Sequence, residues 1–254
     1  GATTPAQVAT TGFSLRYGVY VAGFKGGNME FEVSTAPSRF ESRLHVEPAG
    51  LFSWFLDWDL DARTAGRLVG GDVVPVAYRF RNRKGDDKLR WVEIDFDSGG
   101  PVVARTSKKE DDRKPVPRHL LPGARDLVST ITEMLLDKKQ GTVCTPESLV
   151  YDGRRLFKMR LEPLPTKNLK SSQVAPYAGR AEGCRITFLP IAGFKAERDR
   201  ERLREQKLTV WLADVIGDGS KVPVRLEWRG RRGLALAHLQ AARDARGRVF
   251  IGDD

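Results

Sequence analysis

The amino-acid sequence predicts a mostly β protein in which a long curved antiparallel sheet forms an open barrel or β-spiral. Apolar residues alternate with polar ones along most of the chain, the period-2 pattern of strands with one buried face. Pairs and triplets rich in Gly, Asn and Asp punctuate these runs at hairpin spacing. Only two stretches carry apolar residues at helical spacing, which limits the helical content.

Phe13, Leu15, Tyr17, Val19 and Val21 form the first run, and Met29, Phe31 and Val33, set against Glu30 and Glu32, form the second. Gly26-Gly27-Asn28 between them reads as the hairpin turn. Further strands are expected at Leu44 and Val46, at Val74, Val76, Tyr78 and Phe80, and at Val92, Ile94 and Phe96. Around Leu89, Trp91 and Val92 the alternation slips by one residue, which predicts a β-bulge. Asp152-Gly153 separates Val150-Tyr151 from Phe157, Met159 and Leu161 and suits a type I′ hairpin turn. The last strands are expected at Ile186 and Phe188, at Leu208, Val210 and Leu212, and from Val222 to Trp228. Gly230-Arg231-Arg232-Gly233 then turns the chain back into Leu234 and Leu236.

The main amphipathic helix is expected over about 124–138, where Leu127, Val128, Ile131, Leu135 and Leu136 share a face between Pro122-Gly123 and Gly141. A short helical turn over about 50–58 would place Leu51, Trp54, Phe55 and Trp58 on one stripe. The stretches 108–117, 163–176 and 197–207, rich in charge or in Pro, Lys and Ser, read as exposed connectors. Strands of the same character flank each of them and no fixed-period repeat occurs, so a single β-rich domain over 12–252 is expected. Residues 1–11, small and Ala/Thr-rich without a signal-peptide apolar region, read as a flexible N-terminal segment left after trimming or processing.

Apolar residues at 40% and charged residues at 30% belong to a chain able to bury a core, and no apolar run is long enough to span a bilayer as a helix. The net charge of +10 favours anionic surfaces. Cys144 and Cys184, the only two cysteines, form no metal-binding or redox motif. A structural disulfide is the leading reading, and two separate buried thiols are the alternative. In the loop-closure description a crosslink over about 40 residues contributes roughly 4 kcal/mol.

The chain lacks the nucleophile elbow, zinc-protease helix, phosphate loop and dinucleotide fingerprint, so no catalytic residue and no cofactor is expected. His45, His119 and His238 have no ligand-like spacing; His238, on the same alternation as Leu234 and Leu236, reads as a hydrogen-bonded core histidine. Asp57, Asp59 and Asp61 imitate the start of a calcium loop, but Ala62 and Leu68 stand where its Gly and Glu belong, so a solvated edge is the better reading and no metal site is expected. Arg79-Phe80-Arg81 and Trp228-Arg229 are thin approximations to a base-stacking surface, and nucleic acid is not an expected partner. The stripe Leu51, Trp54, Phe55 and Trp58 is read first as a plug for one end of the sheet and second as the wall of an apolar-ligand groove.

Taken in order, Tyr17-Gly18-Val19-Tyr20 with Gly23, Gly50-Leu51-Phe52, Gly66, Pro75 with Tyr78, and Val150-Tyr151-Asp152-Gly153-Arg154 resemble a bacterial envelope family catalogued as domain of unknown function 3108. The likeness continues through Tyr177 to Cys184, Pro190-Ile191-Ala192-Gly193, Val210-Trp211-Leu212 and Pro223-Val224-Arg225, covering about Phe13 to Leu239. The resemblance implies export to the periplasm of a Gram-negative bacterium, a curved sheet wrapped as an open barrel or spiral, and a cysteine pair matching Cys144 and Cys184. Such proteins tend to carry Pro after the Asp at the helix start, where this chain has Leu127 after Asp126. The family has no agreed activity, so no functional residue transfers. The expectation is a non-enzymatic envelope protein binding a lipid or other apolar ligand in its sheet; a scaffold or adaptor contacting another envelope protein or an anionic polymer is the alternative. A hydrolase with a dispersed site is a third reading.

Overall fold

The computed structural model describes residues 11–49, 58–84, 88–107, 113–136, 144, 147–217, 219–230 and 233–252. Their strands are β1 (Thr11–Val21), β2 (Phe24–Ala36), β3 (Arg39–Pro48), β4 (Trp58–Val69), β5 (Asp72–Lys84), β6 (Lys88–Asp97), β7 (Gly100–Thr106), β8 (Glu147–Tyr151), β9 (Leu156–Leu169), β10 (Gly179–Ala192), β11 (Lys207–Ala213), β12 (Val222–Gly230), β13 (Gly233–Asp244) and β14 (Val249–Ile251). Two helices, α1 (Leu127–Leu136) and α2 (Glu197–Arg204), accompany them, with a 3-10 turn over Arg118–Leu120.

Each strand pairs antiparallel with its sequence neighbour from β1 to β7 and from β8 to β13. The two meanders join where β1 pairs with β13, so a thirteen-strand sheet runs from β7 to β8, with β14 added beside β13. It wraps nearly into a barrel and leaves one seam, between the β7 and β8 edges.

Residues directly opposite one another in a ladder share a face, so the register traces which side chains point inward. One such row passes from Ile94 through Tyr78, Thr64, Ser42 and Val33 to Phe13. Another passes from Cys184 through Val210, Leu226 and Ala237 to Val19. The inward face is thus chiefly apolar around the whole sheet, as the alternation requires. Its side chains form two clusters, one built around Leu15, Tyr17, Phe31 and Leu239, the other around Val150, Met159, Ile186 and Val210. Tyr17 is buried with its hydroxyl donating to the Pro223 carbonyl at 2.9 Å, and burial pushes its phenol well above the ordinary tyrosine range.

The segment leading into α1 spans the seam. Gly123 N donates to Gly99 O in the β6–β7 turn at 2.8 Å, Arg125 N donates to Leu149 O at 2.9 Å, and Tyr151 N donates to Arg125 O at 2.8 Å. Arg125 therefore forms a parallel bridge with Val150 of β8. Gly153, in the β8–β9 turn, comes so close to β6 that a Cβ there would collide with the Val92 side chain. Beyond the seam α1 turns inside the sheet and packs on β3, β4, β5 and β8, burying Val128 and Leu135.

Asp126 caps that helix from a fully buried position. Its Oδ1 accepts from Ser129 N at 2.8 Å, and its Oδ2 accepts from Ser129 Oγ at 2.5 Å and from Thr64 Oγ1 at 3.2 Å. Thr132 Oγ1 donates to Ser42 Oγ at 2.8 Å, so the polar inward positions of β3 and β4 meet the polar face of the helix. The cap works with Leu127 in the position after the Asp.

The Cys144–Cys184 disulfide is formed, with Cα atoms 5.8 Å apart. Cys184 is fully buried on the inner face of β10, and Cys144 is buried beside it, so the bond ties the chain that follows α1 to the second cluster.

Several expectations are corrected. The first hairpin turns at Ala22-Gly23, both with positive φ, and Gly26-Gly27-Asn28 lies within β2; a two-residue turn with the primed twist suits strands of eleven and thirteen residues. Asp152-Gly153 belongs to a four-residue turn, in which only Gly153 has positive φ and the Asp152 carboxylate accepts from Arg154 N and Arg155 N at 3.0 and 2.7 Å. The bulge lies between Asp95 and Phe96, because Trp91 faces outward opposite Arg81 and Val92 inward. β9 continues through Pro163 to Leu169, and α2 occupies part of 197–207, where Leu203 is buried. Trp58 begins β4 opposite Lys84, so no helical stripe extends to it. Leu51, Trp54 and Phe55 lie outside the described residues, as do residues 1–10. His238 is buried, but a register shift in β1–β13 places it opposite Gly18 and Arg225 on the outer face.

Burial raises the Asp126 carboxyl to about 6 despite the hydrogen bonds from Ser129 and Thr64 that favour its charged form. A folded-state value above the unfolded one means that the native state holds the extra proton, so this group's contribution is present below about pH 4 and lost as pH rises through about 6. Asp126→Asn, which keeps the cap acceptor, is expected to flatten the stability profile between about pH 4 and 6 and to remain within about 1 kcal/mol of wild type at neutral pH. Asp126→Ala is expected to lose about 2 kcal/mol. Urea denaturation across this pH range checks both.

Candidate outer-face groove

The outward residues follow the same register and are mostly charged, the reverse of the apolar band that a membrane-spanning barrel turns to lipid. Among the described residues no helix is long and apolar enough to cross a membrane. One outer row passes from Ser14 through Glu32, Arg43, Arg63 and Arg79 to Glu93 and Arg105. The next runs from Gly12 through Ser34, Glu41, Ala65 and Ala77 to Asp95. Small side chains in one row beside long ones in its neighbour leave a groove of about 570 Å³. Ser34, Glu41, Ala65 and Ala77 form its floor, Glu32, Arg43, Arg63 and Arg79 flank it, and the β13–β14 turn at Asp244-Ala245 bounds one end, where Ala245 N donates to Gly12 O at 2.9 Å.

Three arginines directly opposite one another repel unless neutralised. Asp61, two residues before Arg63 on β4, neutralises two of them, 2.6 Å from Arg43 and 2.7 Å from Arg63. Burial alone would raise its carboxyl, but hydrogen bonds and charge from Arg63 and Arg43 outweigh that and hold it below the ordinary carboxylate range. Asp95 pairs with Arg79 at 2.9 Å, and its carboxyl is lowered chiefly by that hydrogen bond. Glu32 approaches Arg43 only to 3.9 Å. Asp244 at the groove's end accepts from Arg248 Nε at 2.6 Å and from two backbone N–H groups. The Arg63 side chain remains 62% exposed, so guanidinium donors are left facing the groove.

Little else gathers chemistry. Among the described residues no group of three metal-ligating side chains occurs. Ser129 and Asp126 are hydrogen bonded, but both are fully buried and satisfy one another structurally. Asp59 and Asp61 lie on the outer face of β4 beside His45 and the arginines, and β4 is paired on both sides rather than an edge; Asp57 lies outside the described residues. His238 is held neutral by burial and by Arg225, beneath the Tyr20 ring at 5.9 Å. Arg79 stood out in the sequence for its neighbouring arginines, whereas Arg43 and Arg63 carry no local signal; only the register brings the three together. A family model described as Protein of unknown function (DUF3108) matches residues 13–229. No curated protein and no solved structure matches the chain.

Removing Asp61 leaves Arg63 without its carboxylate and Arg43 with only Glu32 at 3.9 Å, so Asp61→Asn is expected to cost about 1 kcal/mol at low ionic strength, with part of the loss recovered in high salt. Because the Asp61 carboxyl is lowered in the folded protein, the wild-type advantage is present above about pH 4 and disappears as pH falls further. Denaturation at two salt concentrations and two pH values checks both.

Proposed function

We propose, from the premise that the chain belongs to the family described as Protein of unknown function (DUF3108), that it is an exported, non-enzymatic envelope protein whose outer groove holds a carboxylate- or phosphate-bearing polymer. The single observation behind this reading is the row Arg43, Arg63 and Arg79 beside a floor of Ser34, Ala65 and Ala77, in which Glu41 is the one acidic member. Small floor residues admit a chain close to the sheet, and in-register guanidiniums present planar donor pairs at strand spacing, suited to repeated acidic groups. The buried disulfide supports export, since such bonds persist in oxidising compartments such as the periplasm. A net charge of +10 adds long-range attraction for the same class of partner.

An apolar ligand inside the curved sheet is the second reading, and the wrapped architecture favours it. The described inner face, however, is occupied by its own side chains and by α1, which weights the choice toward the exterior. Organic extraction of protein purified from the envelope, followed by mass spectrometry, separates the two readings. The groove reading expects no stoichiometric lipid.

The direct test is titration with polyglutamate and with polyphosphate by calorimetry. Replacing Arg43, Arg63 and Arg79 together by Gln is expected to weaken binding at least tenfold and to reduce its salt dependence. The same substitution at Arg160, which pairs with Glu147 on β8 at the far edge of the sheet, is expected to change little. Equal loss from both variants, or no binding by the wild type, contradicts the groove reading.

A further inference from the structure

We propose that one end of the barrel is a docking surface for an anionic phospholipid bilayer, formed by the tip of the β1–β2 hairpin and the adjoining ends of β11, β12 and β13. The β1–β2 turn lies beside the start of β13, with Ala22 N donating to Leu234 O at 3.4 Å. Between them the register assembles an apolar row: Phe24 lies opposite Val21, Val21 opposite Ala235, and Ala235 opposite Trp228. Trp228 lies in turn opposite Leu208 at the start of β11.

Val21, Ala235 and Trp228 continue the inward-facing alternation of their strands past the point where the sheet has an interior to fill, and the register shift at Val19/Tyr20 brings Phe24 of β2 onto the same face. Phe24 is 59% exposed, Trp228 49% and Val21 36%. Three large apolar side chains left in water along one rim form a patch with a use rather than scattered surface residues. The turn that carries Phe24 is rigid: Ala22 holds φ at 51° and Gly23 at 86°, the left-handed pair of a two-residue hairpin. A non-glycine residue kept there costs conformational energy, and it fixes the direction in which Phe24 projects.

The occupant follows from charge. Lys25, Lys207 and Arg229 are exposed within one residue of Phe24, Leu208 and Trp228, and Lys207 and Arg229 stand directly opposite each other. Carboxylates at this end stand on the outer face of β3 and β4, where Glu47 and Asp59 lie beside His45 at 3.6 and 3.4 Å, and on α2 ahead of Lys207, where Glu197 pairs with Arg204 at 2.8 Å. Exposed Trp and Phe interleaved with Lys and Arg match a membrane interface, where rings enter the headgroup layer and cations meet anionic lipid. The outer arginine groove lies on strand faces toward the other end, between Gly12 and Ala77, and stays clear of a bilayer so engaged.

Flotation with phosphatidylcholine vesicles, and with vesicles of equal phosphatidylcholine and phosphatidylglycerol, tests this. The wild type is expected to float with the anionic vesicles, weakly with neutral ones, and less in high salt. Phe24→Ser and Trp228→Ser are each expected to lower partitioning about tenfold, as loss of one buried aromatic side chain implies, and Lys25→Glu with Arg229→Glu to remove the preference for phosphatidylglycerol. The groove triple variant is expected to float like the wild type, so this inference and the groove reading fail independently. Circular dichroism confirms that each variant is folded. No flotation, or flotation unchanged by the Phe24 and Trp228 substitutions, overturns the proposal. So does concentration-dependent self-association of the lipid-free protein that those substitutions abolish, since a second copy would then be the occupant.

Discussion

The structure depends on closure of a sheet whose two edges do not pair with each other. Antiparallel meanders grow without limit unless an edge is met, and an unmet edge exposes backbone groups to water and to other chains. Here Gly123, Arg125 and Tyr151 carry backbone hydrogen bonds from the β6–β7 turn to β8, and the same segment then delivers α1 to the inside. Closing and filling are thus one event. Asp126, at the junction, makes both ends of that event compatible by capping the helix and bonding Thr64 of β4. Its buried carboxyl is the electrostatic cost of that arrangement, and its three hydrogen-bond partners, Ser129 N, Ser129 Oγ and Thr64 Oγ1, offset it only in part.

From closure follows the division of labour between the two faces. The inner rows are consumed by packing, by the helix and by the disulfide that anchors the chain after the helix to β10. Among the described residues, the groups left facing solvent lie on the outer face and at the rim. On the outer face, strand register rather than sequence adjacency decides which charges meet, and it stacks three arginines against one small-residue row. At the rim, apolar positions outrun the core and become exposed. Both features are consequences of long, regular strands held in one register.

The sequence showed much of the fold because a sheet with one buried face writes its period directly into the chain. The strands around Leu15, Phe31, Tyr78, Met159 and Val224 and the helix at Leu127–Leu136 were all legible in that way. Turn positions were less so. Gly26-Gly27 has the composition of a hairpin turn, but the bend falls at Ala22, a residue whose left-handed backbone no composition rule suggests. The bulge was misplaced for a related reason: Leu89 and Trp91 are apolar yet face outward, Leu89 with 49% exposure, so apolar character alone gave the wrong phase. Pro163 and Pro165 within β9 and the charged α2 were overridden by tertiary packing, the latter through Leu203 beneath the helix. The arginine groove was invisible because its members are separated by about twenty residues and meet only through pairing. In sequence Trp228 stands beside Arg229, and only the β1–β13 junction brings it into a row with Val21 and Phe24.

Native-state hydrogen exchange at the seam tests most directly whether the sheet is closed by the lead-in to α1. The amides of Arg125 and Tyr151 are bonded across the seam, at 2.9 and 2.8 Å, and closure predicts protection approaching that of amides in the middle of β2 and β3. Exchange of these two amides at the rate of surface turns, with the β2 and β3 amides still protected, would show an open sheet and contradict the filled interior on which the exterior readings rest.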